Sequence, residues 1–445
     1  MASDPTASGP PGGPADPGGP ADPGGPPYPG GAPPTRPDAL AALRIPFVRA
    51  FALGRMAAVV GFQALTIAVG WHLYDRTGSA WSLGLVGVFE LAPVLLLMLP
   101  AGQVADRFPR RNVAMFAHSL LAVAALGLAM VSASDGPIEV IYLLLILVGA
   151  ARAFASPSVS TLLPQLLRPE QFANVNAWLS TSFELASISG PALGGWLIAL
   201  GGGSATGAFL AAAAGQILFV VLLLRLPARA PTRPTTTSPR EMFAGFSFIR
   251  RHPVFLAAIT LDLFAVLFGG AVALLPVFAK DILHVGPVGL GWLRAAPALG
   301  AMCMALLMTR LPPWQRPGRV LLLVVAGFGL VTVGFGLSRV MWLSMVCLFL
   351  SGVFDAVSVV IRITLEQVLT PDTLRGRVSS IHYVFIGFSN ELGGFESGST
   401  AALLGPVASV AGGGLAAMLV VGVVAVLWPQ LARLGPLATL KPYDG

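Results

Sequence analysis

The chain has 445 residues, of which 55% are hydrophobic and only 11% charged, and its mean hydropathy is +0.79. Soluble domains carry about 25% charged residues, so this composition excludes an ordinary soluble enzyme, a nucleic-acid-binding domain and a secreted disulfide scaffold. The net charge of +7 reads as Lys and Arg kept on the loops of one membrane face, not as a nucleic-acid footprint.

Residues 1–37 are nearly all Pro, Gly, Ala, Asp and Ser, and Ala15–Pro20 repeats at Ala21–Pro26. Such a segment cannot bury a core and is expected to be a disordered tail, residues 1–40. It has no basic stretch followed by an apolar one, so a signal peptide is not expected.

From Phe47 onward the chain alternates long apolar runs with short polar loops. A bilayer-spanning helix needs about 20 apolar residues, and twelve runs meet that length. Six lie at 47–73, 82–104, 112–132, 138–161, 174–200 and 204–226. Six more lie at 255–279, 287–310, 319–337, 341–365, 376–404 and 408–428. The expected organisation is a bundle over 41–226, a Pro/Thr/Arg-rich linker over 227–252, a second bundle over 253–430 and a tail over 431–445.

The basic residues set the topology. Of the 27 Lys and Arg, only Arg55, Arg152, Arg294 and Arg362 lie deep within the runs, away from their ends. The outer loops hold only Arg76, Lys280 and Arg339, and the other twenty lie on the N-terminal side. This bias puts both termini in the cytoplasm.

The two sets of six also repeat. Leu163–Glu170 lines up with Leu365–Asp372, each just after the fourth run of its set, and the loop with Arg107, Arg110 and Arg111 matches the one with Arg310, Arg316 and Arg319. Two similar six-helix halves are a transporter pattern, with the binding site expected between them near the bilayer midplane.

The loop after the second run reads Gly102-Gln-Val-Ala-Asp106-Arg107-Phe-Pro-Arg110-Arg111. It resembles the G-x-x-x-D-R-x-x-R-R signature of the major facilitator superfamily. Leu73–Ser79, Gly190–Gly195 and Leu374–Val378 are similar to the bacterial enterobactin-exporter-like and twelve-span drug:proton antiporter group. The resemblance implies an all-α membrane protein of twelve transmembrane helices in two pseudo-symmetric six-helix bundles. It also implies a non-enzymatic exporter of a small amphipathic solute, drug-like or siderophore, in the cytoplasmic membrane of a bacterium. A metabolite importer of the same fold, or a non-transporting receptor or scaffold, is the alternative.

Asp106, at a helix end beside arginines, is expected to face the positive N-terminus of the eleventh helix near Thr373 and so to hold the cytoplasmic ends together. Gly190, Pro191, Gly194 and Gly195 resemble an antiporter motif. The glycines permit close helix approach, and Pro191 removes one backbone bond and bends the helix.

Charges inside the runs are costly, about 2.5–3.5 kcal/mol each on insertion scales, so each needs a reason. Away from the run ends they are Arg55, Glu90, Arg152 and Glu184 in the first half, and Asp262, Arg294, Asp355, Arg362, Glu391 and Glu396 in the second. Aligning the halves on Pro93 and Pro297 puts Glu90 opposite Arg294 in register, and aligning Pro46 with Pro253 puts Arg55 at the place of Asp262. Charges of opposite sign at equivalent depth suggest pairing across a central cavity, such as Arg55 with Asp262. A proton carrier must be partly desolvated. Glu184 and Asp262 rank first on this ground, then Glu396, Glu391 and Asp355. Glu391 and Glu396, five residues apart, point in different directions on a helix.

Arg55, Glu90, Arg152, Arg294 and Arg362 are the further cavity charges. The five histidines do not cluster as metal ligands do and read as interfacial. No phosphate-binding loop is present. The expectation is therefore a monomer that needs no ATP, metal or other cofactor and draws on the proton gradient, its partners being the lipid, protons and a small-molecule solute.

Overall fold

The computed structural model describes residues 44–228, 246–312, 314–437 and 440. The tail over 1–40, most of the linker and the last residues fall outside this range. Among the described residues there are helices and no strands.

Among the described residues twelve long helices appear, in the places the apolar runs require. In the first half they are α1 Pro46–Thr77, α2 Ala80–Arg107, α3 Arg110–Ser134, α4 Ile138–Leu162, α5 Phe172–Leu200 and α6 Thr206–Leu223. In the second they are α7 Pro253–Phe268, α8 Gly286–Met308, α9 Pro317–Leu337, α10 Met341–Leu369, α11 Asp372–Leu404 and α12 Pro406–Leu427. Proline opens α1, α7, α9 and α12, where the missing N–H costs nothing. Gly78 closes α1 in the left-handed conformation, its N–H bonded to the Tyr74 carbonyl at 2.8 Å.

Two spans depart from a plain apolar helix. The seventh does not run unbroken to 279. It is α-helical only to Phe268, then passes through a 3-10 turn at Gly270–Leu274 and a short helix at Leu275–Val277 into a π turn at Phe278–Ile282. Counted with these turns it spans 30 residues. Eleven spans are long and apolar enough to cross a bilayer by composition. The twelfth, α11, has 33 residues, more than enough length. It is the polar one, carrying Asp372, Arg375, Arg377, Glu391 and Glu396.

Among the described residues, the apolar cores of the two halves merge at one end. A single apolar core gathers Leu65, Leu73 and Phe209 of the first half with Phe278, Leu290 and Phe335 of the second. Toward the end that carries the basic loops the cores are separate. One, around Val48, Leu162 and Phe219, belongs to the first half, and the other, around Phe255, Leu321 and Leu365, to the second.

Glycines bring the halves together. A Cβ on Gly84 would meet Gly398 Cα at 3.2 Å, and one on Gly291 would meet the Pro191 carbonyl at 2.7 Å. These approaches link α2 to α11 and α8 to α5. At Gly102 and Gly387, nearer the basic end, a Cβ would meet open space.

Candidate functional site

Between the joined end and the basic end lies a cavity of about 650 Å³, within the usual range of roughly 300–1,000 Å³ for small-molecule sites. Phe62, Phe328 and Phe335 give it an apolar wall, and five of the charges within the spans face it: Glu90, Arg152, Arg294, Asp355 and Glu391.

Arg152 organises the first-half side. Its guanidinium donates to Glu90 at 2.6 Å and to Glu391 at 3.0 Å, so one arginine on α4 ties α2 of its own half to α11 of the other. The same guanidinium sits 5.3 Å from the centre of the Phe62 ring, a cation–π distance.

The second-half side is built on the same plan with its charges reversed. Gly149 lets α4 lie close to Pro93 of α2, and Gly352 lets α10 lie close to Pro297 of α8. Gly352 follows Gly149 by 203 residues, and Pro297 follows Pro93 by 204. With those contacts in register, Arg294 occupies the place of Glu90 and Asp355 the place of Arg152. Glu90 and Arg152 are bonded; neither Arg294 nor Asp355 has a hydrogen bond or ion pair among the described residues.

The remaining predicted charges lie elsewhere. Asp262 does not pair with Arg55. It forms an ion pair with Arg362 of α10, where the two side chains are 8% and 5% exposed. His382 of α11 stands 3.7 Å from Asp262 and bonds Glu366 at 2.7 Å, and Ser379 also donates to Glu366. Arg55 is half-buried in α1 with no bonded partner among the described residues. Glu184 is half-buried on α5 and does not line the cavity. Glu396 turns back on its own helix and accepts from Thr400 at 3.0 Å. Glu391, five residues earlier, takes the cavity face. Of the five carboxylates expected as proton carriers, Glu391 and Asp355 line this cavity, whereas Glu184, Asp262 and Glu396 do not.

Two histidines are also not interfacial. His382 sits within the charged network just described, and His118 is buried against Gln216 at 2.7 Å. Neither sequence neighbourhood carries a signal of this, because each partner lies on another helix.

Asp106 accepts from Arg110 one turn on, at 3.3 Å. Arg111 donates to the Leu226 carbonyl at 2.8 Å, closing the loop onto the end of α6. Arg107 is exposed. Thr373, the expected neighbour of Asp106, has a side chain outside the described set. In α5, Gly190 and Gly194 face Val60, Gln63 and Ala64 of α1, while Gly195 faces Pro287 and Gly291 of α8 across the halves. The helix runs unbroken through Pro191.

Sequence reading did not single out the contacts at the joined end. Lys280 donates to Asp75 at 2.5 Å, Tyr74 donates to Asp281, and the Lys280 ammonium lies 6.0 Å from the Trp71 ring. These link the end of α1 to the π turn after α7. The signal was available: Lys280 is one of three basic residues in the outer loops, and Asp75 is within the quoted Leu73–Ser79 string.

Comparison with known proteins agrees with this architecture. A family model described as Major Facilitator Superfamily matches residues 51–394. The chain is 30% identical over 387 residues to the enterobactin exporter EntS of Shigella dysenteriae serotype 1 (strain Sd197), covering 86% of this chain and 91% of that one. The same figures hold for EntS of Escherichia coli O1:K1 / APEC. Among solved structures, a POT family transporter in complex with 5-aminolevulinic acid superposes with a TM-score of 0.70 at 11% identity, covering 86% of this chain and 96% of that one. A mutant of the nucleoside transporter NupG superposes with a TM-score of 0.65 at 15% identity, covering 87% and 99%.

Proposed function

Because the chain belongs to the Major Facilitator Superfamily of multi-pass membrane transporters, we propose that it is a proton-coupled exporter of a small amphipathic solute, drug-like or siderophore. Its place is the cytoplasmic membrane of a bacterium, with both termini cytoplasmic. The outward direction is taken from the similarity to chains named as exporters. The two halves work by alternating access around the central cavity. Contacts gathered at the end opposite the basic loops correspond to a state open to the cytoplasm.

One observation carries the coupling. Asp355 lines the cavity and has no bonded partner among the described residues, whereas Glu90 and Glu391 share Arg152 and Asp262 is held by Arg362. A carboxylate inside the membrane with no bonded counter-ion carries an uncompensated charge, and a proton removes it. Asp355 is thus the proton carrier, alternating between proton and solute. Competition at one site makes each ligand weaken the other by the same factor. In this scheme Asp106 and its arginines close the cytoplasmic end in the opposite state, and Gly190–Gly195 provide the tight α1–α5–α8 contacts about which the halves move.

The test is retention of dyes, drugs and a catecholate siderophore in cells lacking their own exporters, with wild type or Asp355→Asn, with and without an uncoupler. Lower retention with wild type alone, lost on adding the uncoupler, supports the reading. Export that survives both Asp355→Asn and the uncoupler overturns it.

A further inference from the structure

The two halves face the cavity with the same helix positions and opposite charges, but they differ in one respect. Glu90 and Arg152 meet at 2.6 Å across the α2–α4 contact. Arg294 and Asp355, set by the matching α8–α10 contact, do not meet, and both line the cavity.

The first half shows that these backbone positions can hold a bonded pair. In the second half the pair is open, with one cation and one anion turned toward the same volume. Glu391 lines the same cavity, but its carboxylate is bonded to Arg152. Asp262 borders a small secondary cavity that Asp355 also borders, but it is committed to Arg362. Among the described residues, the guanidinium of Arg294 and the carboxylate of Asp355 are therefore both left without a bonded counter-charge.

Two open charges of opposite sign inside a membrane protein are each costly, and one ligand bearing both signs would relieve both. We propose that the transported solute is amphoteric: its anionic group binds Arg294 and its cationic group binds Asp355, completing in the second half the pair that the first half makes from its own side chains. An apolar body between or beside these groups lies against Phe328 and Phe335. The proposal rests on the exporter reading above, in which a proton on Asp355 removes the seat of the cationic group.

The experiment is equilibrium binding to the purified full-length protein in lipid nanodiscs at neutral pH, without any gradient. Three probes share one aromatic body: naphthylalanine carries both charges, naphthylethylamine only the positive one and naphthylpropionate only the negative one. Naphthylalanine is expected to bind about tenfold more tightly than either, the gain from one further charged contact. Arg294→Gln should lower naphthylalanine to the level of naphthylethylamine and leave naphthylethylamine unchanged. Asp355→Asn should lower it to the level of naphthylpropionate and leave naphthylpropionate unchanged. Arg294→Lys, which keeps the charge, should retain part of the preference. Such a crossed pattern does not arise from a misfolded protein, which loses all three together. The proposal is overturned if a singly charged probe binds as tightly as naphthylalanine, if either variant changes all three alike, or if none binds. Failure here leaves proton-driven export standing with another solute class, while failure of the retention assay leaves the binding order intact.

Discussion

The guanidinium of Arg152, on α4 of the first half, lies 3.0 Å from the carboxylate of Glu391, on α11 of the second, and 2.6 Å from that of Glu90. One side chain thus bonds two carboxylates that would otherwise face each other across the boundary between the halves. Arg152→Gln removes the shared cation and leaves both anions. The Arg152 side chain is 36% exposed and that of Glu90 10%. The cost should accordingly fall between the roughly 0–1 kcal/mol of an exposed pair and the about 3–5 kcal/mol of breaking a buried one. Thermal unfolding of the purified protein measures it. Glu391→Gln, which leaves Arg152 bonded to Glu90, should cost less. Equal melting of wild type and Arg152→Gln would contradict the bridging role.

The contacts of Asp75 with Lys280 and of Tyr74 with Asp281 close the joined end. If the halves part there during transport, tying them together should stop it. In a chain with Cys303→Ser and Cys347→Ser, Asp75→Cys and Lys280→Cys would be joined with a short bis-maleimide. Cross-linked protein in vesicles is expected to bind solute and not release it across the membrane, while either single cysteine treated alike stays active. Transport by the cross-linked double variant would show that this end need not open.

Asp262 and Arg362 form a buried ion pair in the second half. Asp262→Asn leaves the guanidinium without its counter-charge, though Glu366 and His382 remain nearby. The expected loss is about 3–5 kcal/mol, read as a lower melting temperature. Replacing both partners with apolar residues, Asp262→Leu with Arg362→Met, should recover most of that loss, because no charge then stays buried alone. A double variant as unstable as the single one would mean that the network positions the helices through more than charge compensation.

In α5, a Cβ on Gly190 would lie 2.6 Å from the Gln63 Cβ and 2.8 Å from the Val60 carbonyl, and one on Gly194 would lie 3.0 Å from the Ala64 Cα. The α1–α5 contact is therefore too tight for a side chain. Gly190→Ala should lower stability by about 1–3 kcal/mol, as overpacking does, and reduce transport with it. Gly207→Ala, whose Cβ would be no nearer than 3.8 Å to Leu197, is the matched substitution expected to have little effect. Equal stability of the two variants would remove the case for a special contact at Gly190.

The membrane setting, the twelve spans, the repeat of two halves and the family were all legible in the amino-acid sequence, since they depend on run length, loop charge and the Gly102–Arg111 string. So was the place along its helix of each charge within the spans. Matching Glu90 to Arg294 on the flanking prolines was legible as well. Pairing was not. Which charge meets which depends on how each helix is rotated and which neighbour it touches, and those are set by distant glycine contacts such as Gly149 on Pro93 and Gly352 on Pro297. Helix packing is therefore what pairs Asp262 with Arg362 and not Arg55, turns Glu391 to the cavity while Glu396 bonds back to its own helix, and leaves Arg294 and Asp355 open. Packing also makes the link between Asp75 and Lys280, whose residues are 205 apart in the chain and adjacent because the end of α1 meets the π turn that follows α7.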